Sequence, residues 1–85
     1  MPKASEFKEL SPARKRAYRA IWTLYMQKGS SPSMPEIAAE GNLQLGNLFI
    51  VALWLEKNGW IRKTPGQHRS IVPLVKLTKK QLGGE

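Results

Sequence analysis

Residues 33–59 read SMPEIAAEGNLQLGNLFIVALWLEKNG, and the order of signals in this stretch decides the fold. Ser33 and Glu36 stand at the S-x-x-E spacing, in which each side chain satisfies a free backbone N–H of a first helical turn. A short helix carrying Ile37, Ala38 and Ala39 therefore begins at Ser33, and Gly41-Asn42 closes it with a tight turn. A further helix is expected over roughly Leu45 to Asn58, ending at Gly59. Its middle, Leu48-Phe49-Ile50-Val51-Ala52-Leu53-Trp54-Leu55, is apolar throughout.

Upstream, Ser11-Pro12 opens another helix, because serine is a favoured N-cap and proline fits the first turn. It runs to about Lys28, with Gly29 placed to end it. Ala17, Tyr18, Ile21, Leu24 and Tyr25 recur at spacings of three and four and form one buried stripe. Downstream, Trp60-Ile61-Arg62-Lys63 and His68-Arg69-Ser70-Ile71-Val72 are β-prone runs separated by Thr64-Pro65-Gly66-Gln67, which reads as a hairpin. Residues 1–10 are expected as a flexible arm and 75–85 as a basic flexible tail, leaving one domain over 11–74. The expected class is α+β, mainly α: three helices followed by a β-hairpin.

Composition narrows the function classes. With 85 residues the chain holds one small core, too little for a two-domain enzyme or a deep catalytic pocket. It has no cysteine, so disulfides, thiolate metal sites and cysteine nucleophiles are excluded. His68 stands without a second histidine or a carboxylate at ligand spacing, so no metal and no cofactor are expected. No paired acid and base, Ser-His-Asp set or phosphate-cradling glycine loop is present; the expectation is a protein that is not an enzyme and takes no small-molecule substrate. No apolar run reaches the roughly 18 residues of a membrane span, and the first residues lack the apolar core of a signal peptide, which fits a cytoplasmic protein and no membrane partner. Fourteen Lys and Arg against six Asp and Glu give a net charge of +8, which invites a polyanion, usually nucleic acid.

Taken together, SPSMPEIA at 31–38, LEKNGWIRK at 55–63 and PGQHRSI at 65–71 resemble the N-terminal DNA-binding domain of LexA-type repressors, over roughly residues 11–74. The resemblance implies a winged helix-turn-helix, in which the second helix braces the third, the third enters the DNA major groove, and the hairpin wing lies along the backbone. It places Asn47, Lys57, Arg62, Lys63, His68 and Arg69 where such a domain, acting as a transcription regulator, would meet double-stranded DNA.

The third helix departs from that pattern. At about 100° per residue, Leu48, Val51, Ala52 and Leu55 fall on the core side and Phe49, Ile50, Leu53 and Trp54 on the opposite side. None of these four can form a bidentate hydrogen bond to a base edge, although phenylalanine can touch a thymine methyl. A helix apolar all round is normally covered on both sides, and aromatic anchors ringed by polar groups are what the centre of a protein interface looks like. The expectation is therefore a protein partner, or a second copy, bound through Phe49, Ile50, Leu53 and Trp54, as in an engineered binding surface; DNA binding is the alternative. Arg14, Lys15, Arg16 and Arg19 serve equally as a solvated face or as phosphate contacts. Trp22 and Trp60 are expected in or beside the core.

Overall fold

A computed structural model of the chain describes residues 2–64, 66 and 70–83. It is mainly helical, with one small antiparallel sheet: a 3-10 helix Ala4–Glu9, α1 (Pro12–Lys28), α2 (Met34–Gly41), α3 (Leu45–Lys57), β1 (Ile61–Arg62), β2 (Val72–Pro73) and α4 (Lys79–Leu82). The sequence accounts for the boundaries of α1 and α2. Ser11 Oγ accepts the Arg14 amide at 3.4 Å, with Pro12 at the first helical position. Gly29 ends α1 in the left-handed region at φ 67°, which costs a glycine little. Ser33 and Glu36 form the expected reciprocal cap of α2, at 2.9 and 3.3 Å, and Glu36 also pairs with Lys28. Asn42, at φ 53°, turns the chain out of α2, and residues 42–44 lead into α3.

α1 packs against α2, α3 and β2. Ala17, Tyr18, Ala20, Ile21 and Leu24 are buried along it, while Tyr25, assigned to the stripe by its spacing, is half-buried. The approach of α1 to α2 is close: a Cβ on Gly41 would lie 3.1 Å from the Arg16 carbonyl oxygen, tighter than normal contact allows. From α3 the core receives Leu48, Ala52 and Leu55, and Val51 packs at its edge. β1 and β2 pair antiparallel, with Ile61 opposite Pro73 and Arg62 opposite Val72. The Leu74 amide adds a bond to the Trp60 carbonyl at 2.9 Å. Of the expected hairpin turn, Pro65 and Gln67 lie outside the described residues, as do His68 and Arg69.

The two ends of the chain correct the expectation of a loose arm and a flexible tail. Phe7 is fully buried and stands 6.3 Å from the Tyr18 ring and 6.4 Å from the Trp60 ring, with Tyr18 and Trp60 5.2 Å apart. Val75 and Leu77 are buried as well. The Tyr18 hydroxyl donates to the Val75 carbonyl at 2.6 Å and accepts the Val75 amide at 2.8 Å, holding the segment after β2 against α1. Burial pushes the Tyr18 phenol up to about 12, opposed by those backbone bonds. Thr78 and Gln81 cap α4 reciprocally, and Gln81 Nε2 donates to the Ala4 carbonyl at 2.6 Å. Arg19 Nε donates to the Gln81 carbonyl at 2.7 Å, so both ends close on α1. The reason is arithmetic: a core this small gains from every apolar side chain it can recruit, including isolated ones outside any periodic pattern.

Candidate docking face on the third helix

The inner face of α3 is spent on the core, and its outer face is left with large apolar groups. Phe49 is 53% exposed, Ile50 71% and Leu53 53%. Leu45, one turn before Phe49, is 42% exposed and extends the same row. The row Leu45, Phe49, Leu53 follows the i, i+4, i+8 ridge of a helix, about 12 Å from end to end. The apolar run 48–55 starts after Leu45, which joins the row through its four-residue spacing to Phe49.

Trp54 belongs elsewhere. Although it lies in the same run, it is half-buried and packs against the core edge. The Arg14 guanidinium from α1 covers its ring, 3.9 Å from the centroid. At about 100° beyond Leu53 on the helix, Trp54 meets the start of α1 rather than solvent. Trp54 is therefore corrected from anchor of the outer face to the flank between helices. The expected inward set holds, with Val51 half-buried. Trp60 is buried, and Trp22 is half-buried against the core.

A groove of about 380 Å³ opens beside the apolar row, lined among others by Met34 and Pro35 of α2, Leu45 and Phe49 of α3, and Lys63 and Ile71 flanking the strands. Met34 and Ile71 carried no sequence signal for this role, because they reach the groove only through the packing of α2 and the ribbon on α3. Asn47, Lys57 and Arg62 are exposed, and Lys63 is half-buried at the groove edge. Lys63 and Phe49 thus line one groove, one residue from each of the basic and apolar candidate sets. Among the described residues no group of three or more His, Asp or Glu side chains comes together as a metal site. Among the described residues no helix is long and apolar enough to cross a membrane. The comparisons with family models, curated proteins and solved structures find no match to this chain.

Proposed function

We propose that this chain is a non-enzymatic binding module on a winged helix-turn-helix scaffold, and that it binds a protein partner through the outer face of α3. Element order supports the scaffold reading: the three residues 42–44 join α2 to α3, and an antiparallel ribbon follows α3 after three more. That is the order implied by the resemblance to LexA-type domains. The functional reading is carried by one observation, that Leu45, Phe49, Ile50 and Leu53 are all exposed on one side of a helix whose other side is fully buried. Each exposed aromatic or aliphatic group costs free energy in water, roughly 25 cal/mol per Å² that a partner would remove. A contiguous patch of this kind on a small protein marks an interaction surface. Phe49 is the aromatic anchor and the adjoining groove is the seat for a partner's side chain.

Double-stranded DNA is the second reading, and a specific feature favours it. A Cβ on Gly46 would meet no atom of the described residues within 4 Å, so none of them calls for glycine in the first turn of α3. Glycine costs up to about 1 kcal/mol there relative to alanine, and close approach of an outside surface is a reason to accept it. Exposed Asn47 beside it has the amide that pairs with an adenine edge, and the +8 charge supplies non-specific attraction.

Fluorescence anisotropy with a labelled duplex separates the two. If α3 is a protein-docking face, duplex binding is weak, without sequence preference and lost at high salt, and Phe49→Ser with Leu53→Ser leaves it unchanged. A marked preference for one DNA site that those two substitutions abolish would overturn the first reading in favour of the second.

A further inference from the structure

We propose that the occupant of the α3 face is an amphipathic helical segment of another protein that carries carboxylates beside its apolar stripe. This deepens the reading above and rests on it.

The apolar row and the groove fix the shape of the guest. Leu45, Phe49 and Leu53 extend about 12 Å, which matches the reach of apolar side chains at positions i, i+4 and i+7 of a partner helix. The groove between α2, α3 and the ribbon, at about 380 Å³, takes one large side chain or two small ones from that stripe.

The charge around the row fixes the polarity of the guest. Lys57 lies one turn beyond Leu53 and is exposed, and Lys63 lines the groove with Phe49. Against these two cations α3 carries a single carboxylate, Glu56. Glu36, on the α2 side, already accepts the Ser33 amide and pairs with Lys28. A guest with carboxylates flanking its apolar stripe gains from this rim; a cationic guest is repelled by it and by the net +8 of the chain.

A second copy is a poorer occupant on two counts. Two chains of +8 repel. Four side chains about half exposed offer on the order of 400 Å² per copy, so a symmetric pair would bury about 800 Å², below the roughly 1,200 Å² of stable specific interfaces. A partner helix can extend its contact into the groove and onto the basic rim.

Two labelled helical peptides of about 16 residues, with leucines at i, i+4, i+7 and i+11 and either glutamates or lysines at the flanking positions, test this by anisotropy against the full chain. The acidic peptide should bind at least about tenfold tighter at low salt, with the advantage shrinking as salt screens the rim. Phe49→Ser should weaken it about tenfold, and Lys57→Glu with Lys63→Glu should reverse the preference; Phe49 and Lys57 are exposed and Lys63 is half-buried at the groove edge, and circular dichroism checks that the variants are folded. Equal binding of both peptides, still sensitive to Phe49→Ser, would sink the charge assignment and leave the docking face standing. Binding of the acidic peptide that is absent, or indifferent to Phe49→Ser, would overturn the docking face itself. Displacement of the acidic peptide by a duplex whose own affinity also falls with Phe49→Ser would assign the face to DNA.

Discussion

Leu48 and Leu53 sit on the same helix, five residues apart, and have the same side chain. One is fully buried and the other is 53% exposed. The inner side of α3 (Leu48, Ala52, Leu55) and the outer side (Leu45, Phe49, Ile50, Leu53) are equally apolar, so hydrophobicity alone does not say which is core. The decision comes from the neighbours: α1 and the aromatic trio of Phe7, Tyr18 and Trp60 form one continuous cluster with the inner side, while among the described residues the outer row stays exposed. What this teaches is that a helix apolar all round carries two separable kinds of information, one about folding and one about binding.

Identical substitutions should therefore have different costs. Leu48→Ala leaves a cavity and should destabilise the chain by about 2–5 kcal/mol, a large share of the roughly 5–15 kcal/mol of a typical domain. Leu53→Ala should fall within about 0.5 kcal/mol of the parent. Urea unfolding followed by circular dichroism measures both. A Leu53→Ala cost comparable to that of Leu48→Ala would break the distinction between the sides and place the outer row in a packed environment.

How much of this was legible in the sequence depends on how local each signal is. The caps at Ser11, Ser33 and Glu36, the left-handed exits at Gly29 and Asn42, and the inner side of α3 all depend on residues a few positions apart, and they stand where the spacing puts them. Phe7, Val75 and Leu77 were not legible, because a lone apolar residue has no period and its burial is decided by α1, far away in sequence. The same holds for Trp54. Helical geometry gives its direction, but only the packing of α1 shows that Arg14 occupies that direction. Of the candidate site, Phe49, Ile50 and Leu53 were legible, Leu45 is marked only by its four-residue spacing to Phe49 because Gly46 and Asn47 interrupt the apolar run, and Met34 and Ile71 were hidden in tertiary contact.

The inner side can be probed from its support as well. Tyr18→Phe keeps the ring contacts with Phe7 and Trp60 but leaves the Val75 amide and carbonyl without their hydroxyl partner. Leaving buried polar groups unsatisfied should cost about 1–3 kcal/mol. The phenol's raised pKa adds a pH signature. Its folded value of about 12 lies above the unfolded value of 10.0, so the folded chain holds the proton more tightly. The resulting stability is fully present below pH 10 and declines as pH rises through 12. Equilibrium unfolding at intervals over that range should show the parent losing stability relative to Tyr18→Phe. A constant difference between the two would mean that Tyr18 is not sealed against ionisation and that this end of the core is open to water.

Arg14 gives a smaller effect than Tyr18 and tests the boundary between the two sides. Its guanidinium lies 3.9 Å from the Trp54 ring centroid, while its own backbone amide serves the Ser11 cap. Arg14→Ala keeps the amide and so spares the cap, removing only the stacked cation, whose worth at a partly exposed site is about 0.5–1 kcal/mol. The loss of stability should stay within that range. The exposed ring should in turn become more accessible to a collisional quencher such as acrylamide, read in a Trp22→Phe background in which Trp60 remains buried. Affinity for the acidic peptide is the sharper readout, because Trp54 lies next to Leu53 on the helix. If uncovering the ring widens the apolar row, affinity should rise despite the lost positive charge. If affinity instead falls with the charge alone, the flank of α3 occupied by Trp54 takes no part in docking, and the outer side ends at Leu53.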